Sequence, residues 1–380
     1  MKEITVQELG NLQKDSYILI DIRDEELRSF GTIPGAAAVD FDTEAELHSH
    51  IDKLPEEKTL ILYCETGRRT GELDESVLPK GREYYSLRDG YIGYVRYLMA
   101  NEENRAENQC RAEESIRRKF HKQLFTPFAK ACKTYRLIEE GDRIAVCISG
   151  GKDSMLMAKL FQEIQKHRKC SFDLVYLVMD PGYNRDNREL VESNARLLGI
   201  PITIFESRIF DAVDAIEKSP CYICARMRRG HLYSKARELG CNKIALGHHY
   251  DDVIETILMG MLHGAQIQTM MPKLHSTNFT GMELIRPLYL IRESDICAWR
   301  DYCGLHFLQC ACHFTDTCTT CHEDGTTSSK RLETKKLIAI LKKENPYVES
   351  NIFNSVGNVN IDTVIAYKKQ GIRHHFLDEY

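Results

Sequence analysis

What this sequence lacks narrows its chemistry before any motif is read. No apolar run approaches the ~18 residues of a membrane-spanning helix, and no charged-then-apolar leader precedes Lys2 and Glu3. The expectation is a cytoplasmic protein with no membrane partner. The phosphate-binding pattern GxxxxGK[ST] and the dinucleotide turn GxGxxG are also missing, so neither of the commonest nucleotide-binding solutions is offered. Net charge is only −5, and its distribution says more than its size. Residues 1–100 carry 12 basic against 20 acidic side chains, and the remainder 39 against 36. An acidic first part joined to a neutral-to-basic second part points to different partners for each.

What is present is an ordinary globular composition, 43% hydrophobic and 28% charged, over a length sufficient for two or three domains. Fourteen cysteines stand out. In a cytosolic chain they are a poor disulfide framework, so metal or sulfur chemistry is the better expectation.

The stretch Ile144–Leu160 is organised around Ser149-Gly150-Gly151-Lys152-Asp153-Ser154. A β-rich run leads into it and an apolar helical pattern leads out. Strand, glycine turn and helix together aim backbone N–H groups at an anion. Gly150 and Gly151 allow close approach to a phosphate, Lys152 supplies a mobile cation, and Ser149 and Ser154 supply hydroxyls. Asp153 is a candidate for holding Mg²⁺. The hexapeptide resembles the SGGxDS loop of the PP-loop ATP pyrophosphatases, and that resemblance implies ATP as substrate and adenylation of a carbonyl or amide oxygen.

Residues 1–100 read as a small α/β unit, with Tyr17–Asp21 and Thr59–Tyr63 as buried parallel strands. The second run ends in Cys64, followed by Glu65-Thr66-Gly67-Arg68-Arg69-Thr70 and a helix-compatible stretch. A thiol at a strand end, opening toward a helix start and arginines, sits where a thiolate is favoured. Asp21-Ile22-Arg23, Gly31–Ala36, Cys64–Thr70 and Leu87–Tyr91 are together similar to the successive signatures of a rhodanese domain. The resemblance implies a persulfide-carrying Cys64 with Arg69 as its catalytic companion. Thr32 and Asp89 depart from the usual pattern, at positions where His and Gly are common.

Residues 101–135 are expected to form a linker and a basic amphipathic helix. From Ser115 to Arg136, Phe120, Leu124, Phe128 and Ala131 fall at helical spacing, ringed by lysines and arginines. That face suits either nucleic-acid phosphates or plain solvation, and Pro127 marks a kink or a fresh helix start. Beyond the glycine loop, Phe172–Met179, Ile202–Phe205 and Lys243–Leu246 alternate with helical patterns. A doubly wound parallel sheet follows, with ligands beyond the strand C-termini. Asp180, Gly247 and His248 would then converge on ATP. Asp252, beside Asp251, is a Mg²⁺ candidate and equally a helix cap.

The CxxC of Cys221 and Cys224 binds zinc, an iron–sulfur cluster or electrons, and spacing alone does not choose. Cys310, Cys312, Cys318 and Cys321 form a second set, able to close a structural zinc site by themselves or to lend one thiolate to the CxxC. The runs GDRIAVCISGGKDS, CYICARMRRGHLY, KIALGHHYDDVIETILM, TMMPKL, LIRPLYLIRESDI and FLQCAC are similar to the tRNA 2-thiocytidine synthetases. That resemblance spans roughly Lys119–Cys312. It implies thiolation of an anticodon-loop cytidine, dependent on ATP, Mg²⁺ and a [4Fe-4S] cluster held by Cys221, Cys224 and Cys310, with Cys312 as the alternative third ligand. It also implies a homodimer.

The expected fold is therefore α/β throughout: a rhodanese-like domain over 1–100, a PP-loop domain over 136–312, and a divergent region over 313–380. The basic residues Arg226, Arg228, Arg229 and Lys235 are the expected tRNA contacts. Cys64 would be the built-in sulfur donor, loaded by a cysteine desulfurase or by thiosulfate. The competing readings are thiolation of a uridine, sulfur transfer to a small molecule, and a zinc-holding RNA-binding module without catalysis.

Overall fold

The computed structural model describes the chain except for residues 29–30, 42, 75, 77, 101–104, 168–169, 184, 208, 210–219, 308–329 and 379. It divides into two compact units, Met1–His249 with Pro272–Thr327, and Tyr250–Met271 with Ser328–Tyr380.

The first unit holds two sheets. In the N-terminal sheet, β1 (Lys2–Ile4), β2 (Tyr17–Asp21), β3 (Ala37–Ala38), β4 (Thr59–Tyr63) and β5 (Tyr84–Leu87) take the order β1-β5-β4-β2-β3. Every pairing is parallel. Side chains alternate between faces. Leu19, Ile61, Tyr63 and Leu87 therefore enter one core, and Ile20, Leu60, Leu62 and Cys64 the other. Burial on both faces is why β2 and β4 read as unbroken apolar runs.

The second sheet contains β6 (Arg143–Ile148), β7 (Asp173–Asp180), β8 (Ile202–Glu206), β9 (Lys243–Ala245), β10 (Lys273–His275) and β11 (Glu283–Ile285). Their order is β10-β11-β9-β6-β7-β8, and only the edge pair β10–β11 among these is antiparallel. Ile144, Val146 and Ile148 face a large core shared with the helices Lys152–Lys166, Arg185–Leu197 and Glu293–Cys303, while Ala145 and Cys147 face a smaller one beneath the helix Pro220–Glu238. Helices on both faces make this the expected doubly wound sheet.

The long basic helix expected over Ser115–Arg136 is broken. One helix covers Arg105–Arg117, a π-helical turn covers His121–Phe125, and a second helix runs over Thr126–Thr134. Pro127 lies in the first turn of that second helix, where its missing N–H costs nothing. Part of the basic face is used internally. Arg117 pairs with Glu163 at 2.8 Å, Arg118 with Glu114 at 3.2 Å, and Lys119 lies 3.8 Å from the ring centre of Tyr302.

In the second unit the helix Tyr250–Gly264 packs against the helices Lys330–Glu344 and Val348–Ser355. Tyr250 stacks on Phe353 with centroids 4.4 Å apart. The chain finishes as an antiparallel hairpin, β12 (Ala366–Lys369) with β13 (Ile372–His375), turning through Gln370 and Gly371, both at positive φ. No helix among the described residues is long and apolar enough to cross a membrane.

Candidate active sites at two strand ends

Cys64 directly follows β4 and is 5% exposed. Its Sγ lies 3.7 Å from Thr70 Oγ1, which accepts from Ser86 Oγ at 2.7 Å and donates to Gly67 O at 3.1 Å. The loop is closed by backbone as well. The N–H groups of Tyr91 and Ile92 donate to the carbonyls of Cys64 and Glu65 at 2.9 and 3.0 Å. Gly90 makes this approach possible, since a Cβ there would meet Cys64 O at 2.3 Å and Gly67 N at 2.6 Å. Asp89, where a glycine is usual, adopts φ 60°, a conformation that Asp tolerates better than most residues. The expected companion Arg69 is exposed, its guanidinium 4.8 Å from the ring centre of Phe41.

The other signatures of this domain have structural work. Arg23, 2% exposed, donates from Nε and Nη2 to the two oxygens of Asp21, from Nη1 to Glu65, and from Nη2 to Gly31 O, at 2.7–3.0 Å. Tyr63 donates to Asp21 at 2.6 Å and accepts from the Ile33 N–H at 3.1 Å. A buried charge left unpaired is far costlier than this paired set. The network thus ties Asp21, Arg23, Gly31 and Ile33 to the residue after Cys64.

At the end of β6, Gly150 takes φ 87° and Gly151 caps the helix Lys152–Lys166. Hydroxyls frame the loop. Ser154 Oγ donates to Gly151 O at 2.9 Å and accepts from the Ser149 N–H at 3.2 Å. The two serine hydroxyls lie 3.2 Å apart. Lys152 is not the mobile cation expected. It is buried, with Nζ 3.3 Å from Asp153 and 3.2 Å from Glu293. Burial opposes its charge, but the two carboxylates outweigh burial and hold its ammonium above the ordinary lysine value. An anion entering this loop meets an ammonium already paired with two carboxylates.

The remaining expected residues divide. Gly247 does approach the loop: a Cβ there would lie 3.2 Å from Ser154 N and 3.3 Å from Asp153 C. His249, beside the expected His248, brings Nε2 to 4.0 Å from Asp153 Oδ1. Asp180 is buried and turned to its own loop, accepting from the N–H groups of Gly182 and Tyr183 at 2.9 and 2.6 Å and facing Arg188 at 3.3 Å. Asp252 belongs to the second unit, where Arg331 holds it at 2.8 Å and also reaches Glu255 at 3.4 Å.

Cys221 and Cys224 occupy the start of the helix Pro220–Glu238, three residues apart. That arrangement and two soft thiolates fit an iron–sulfur cluster as well as zinc. Their side chains, and Cys310, Cys312, Cys318 and Cys321 altogether, lie outside the described residues. Among the described residues no group of three or more His, Cys, Asp or Glu is arranged to hold a metal. On the same helix Arg226 and Arg229 are exposed, Arg228 is half-buried, and Lys235 pairs with Glu238 at 2.7 Å.

Tyr91 and Glu293 lie within runs the sequence singles out but their partners are not legible there, and His306 lies in no such run. Glu293 opens a helix 141 residues from its partner Lys152. His306 lies 215 residues from Tyr91, with Nδ1 3.0 Å from the tyrosine hydroxyl.

Residues 114–312 match the family model of the PP-loop domain, and residues 5–97 that of the rhodanese-like domain. The tRNA-cytidine(32) 2-sulfurtransferase of Syntrophotalea carbinolica is 35% identical over 238 residues, 60% of this chain and 86% of that protein. The enzyme of the same name from Anaeromyxobacter dehalogenans is 33% identical over 244 residues, 63% and 80% of the two chains. Among solved structures, the U34-tRNA thiolase NcsA from Methanococcus maripaludis with its [4Fe-4S] cluster shares 22% identity, with a TM-score of 0.48 over 61% of this chain and 76% of that one.

Proposed function

This chain belongs to the PP-loop family, beside the tRNA-cytidine(32) 2-sulfurtransferases, and from that premise we propose that it thiolates a cytidine of the tRNA anticodon loop in an ATP-dependent reaction. The observation that carries the reading is the Ser149–Ser154 loop, with its hydroxyl frame and clamped Lys152. Residues 1–100 carry sulfur, 136–312 activate the base, 101–135 join them, and 313–380 form the C-terminal region.

The backbone of Gly150 and Gly151 and the hydroxyls of Ser149 and Ser154 receive the phosphates of ATP. Gly247 and His248 border them, and Asp180 shapes the neighbouring loop. Lys152 exchanges Asp153 and Glu293 for a phosphate oxygen as charge develops there. Asp153 is one candidate for Mg²⁺, which would neutralise phosphate charge when bound; the other, Asp252, is held by Arg331. Cytidine O2 attacks the α-phosphorus, and the bond to the pyrophosphate oxygen breaks. Sulfide then adds at C2, and AMP leaves with the former O2. Cys221, Cys224 and Cys310 or Cys312 would hold a [4Fe-4S] cluster, which would supply a binding position for sulfide.

Cys64 is loaded to a persulfide by a cysteine desulfurase or by thiosulfate. Its release needs two electrons from a thiol reductant: the persulfide and two thiols give Cys64 thiol, hydrogen sulfide and one disulfide. Arg69 lies beside this loop, and Arg226, Arg228, Arg229 and Lys235 face tRNA phosphates. The enzyme works in the cytoplasm as a homodimer.

The test is mass spectrometry of nucleosides from tRNA incubated anaerobically with iron-reconstituted protein, ATP, Mg²⁺ and sulfide. The expected product is 2-thiocytidine. A thiouridine instead overturns the assigned base, and ATP cleavage stimulated only by small-molecule acceptors overturns tRNA as substrate.

A further inference from the structure

Tyr91 touches both halves of the first unit. Its N–H donates to Cys64 O at 2.9 Å, so its backbone is part of the thiol loop. Its ring lies 3.9 Å from the guanidinium of Arg23. Its hydroxyl reaches His306 Nδ1 at 3.0 Å, and the Tyr91 and Tyr94 rings meet the His306 ring at centroid distances of 6.1 and 6.0 Å. His306 is in turn fixed within the PP-loop half. Its carbonyl accepts from Asn194 Nδ2 at 2.8 Å, and its neighbours Leu305 and Phe307 are buried in the core of the second sheet.

The junction is tight as well as polar. A Cβ on Gly31 would meet Tyr91 Oη at 2.3 Å and His306 Nδ1 at 3.7 Å. Gly31 O already accepts from Arg23 at 2.7 Å. Packing inside the N-terminal domain alone would not require a partner for Tyr91 from so distant a segment. In the sequence His306 stands four residues before Cys310. A flexible tether would present Cys64 to the rest of the chain at roughly millimolar effective concentration, and a fixed dock removes that search.

We infer that Tyr91 and His306 are a positioning pair that docks the Cys64 loop on the PP-loop half, so that sulfur passes from Cys64 to the thiolation site within one chain. This rests on the function proposed above, and thereby names how its donor is held. The pair touches neither ATP nor the reacting base, and Cys64 keeps its own chemistry without it.

The experiment uses the full chain with Tyr91→Phe and His306→Phe, each of which keeps an aromatic ring and removes the hydrogen bond. Thiosulfate-driven tRNA thiolation with a thiol reductant is expected to fall about tenfold, the value of one such bond. In His306→Phe, sulfide-driven thiolation and thiosulfate-to-cyanide transfer by Cys64 are expected to be unchanged. His306→Gln, which keeps a hydrogen-bonding side chain, is expected to recover most of the loss. In iron-free protein, hydrogen exchange of peptides spanning 88–97 and 303–307 is expected to rise in the phenylalanine variants. Equal loss with both sulfur sources, or no loss with unchanged exchange, overturns the pairing. An equimolar mixture of Cys64→Ala and Lys152→Ala chains, with free hydrogen sulfide swept out by a flow of inert gas, tests delivery within one chain: it is expected to stay inactive with thiosulfate, and recovery overturns the inference. A wild-type chain that fails with sulfide overturns the functional reading instead, and so separates the two.

Discussion

The chain carries two loops of the same outline, each leaving the C-terminal end of a central parallel strand for a helix. The loop after β4 is closed by backbone: Tyr91 and Ile92 N–H groups bind its carbonyls, and Gly90 leaves no room for a Cβ. The loop after β6 is closed by side chains, through Ser149, Ser154 and the Lys152–Asp153–Glu293 cluster. The first presents one sulfur atom beside a helix that starts with Arg68 and Arg69, where an anionic sulfur is favoured, as a group carrier requires. The second presents a compensated charge, as a site for a polyanion requires. The difference also accounts for one of the two departures from pattern in the first half, that at Asp89. A loop held by main-chain bonds accepts Asp89 in place of glycine, provided the residue adopts positive φ and Gly90 is kept.

The contrast is broken most severely at Lys152. Lys152→Ala is expected to lower pyrophosphate release and thiolation about 1000-fold, equally with sulfide and with thiosulfate, because the phosphate charge loses its preorganised partner. A loss confined to one sulfur source, measured by nucleoside mass spectrometry, would place Lys152 outside the activation step. Next comes Cys64→Ala, expected to reduce thiosulfate-driven thiolation about 100-fold, since a covalent carrier splits one hard transfer into two. Sulfide-driven thiolation should survive, and equal loss in both assays would sink the relay.

Stability against pH sharpens the comparison at the junction. Burial, assisted by the charge of Arg300, pushes His306 down from 6.5 to about 4. The unfolded chain takes up that proton first as pH falls, so the contribution is complete above 6.5 and declines toward pH 4. The loss is at most about 3 kcal/mol. Urea denaturation at several pH values should show this slope in the wild type and a shallower one in His306→Gln; parallel curves would contradict it. The smallest effect is expected at Glu293. Glu293→Gln leaves Lys152 one carboxylate fewer to abandon, and KM for ATP should fall about threefold with kcat unchanged, the size of a weak charged contact. A rise in KM would assign Glu293 to the substrate side.

Much of the fold was legible where local pattern suffices. β2 and β4 appear where Tyr17–Asp21 and Thr59–Tyr63 form continuous apolar runs, because burial on both faces leaves that mark. The helix over Ser115–Arg136 was legible only as an amphipathic pattern. The pattern survives the π-helical turn at His121–Phe125 and so conceals it. The terminal hairpin escaped because Tyr367–Lys369 and Arg373–His375 have little apolar alternation to read.

The sequence by itself determined the two strand–loop–helix units and the residue types at their tips, since both loops are contiguous and their glycines, serines, lysine and thiol follow in order. Only the tertiary structure decided who meets those tips. Glu293 on Lys152, Gly90 against Cys64 and Arg331 on Asp252 join residues 141, 26 and 79 positions apart. His306 meets Tyr91 across 215. Local periodicity reports which face of an element is buried, but it carries no information about which distant side chain will satisfy a charge or a hydroxyl there. That choice is made when the sheets and helices pack, because a buried polar group must find its partner among whatever the packing brings near.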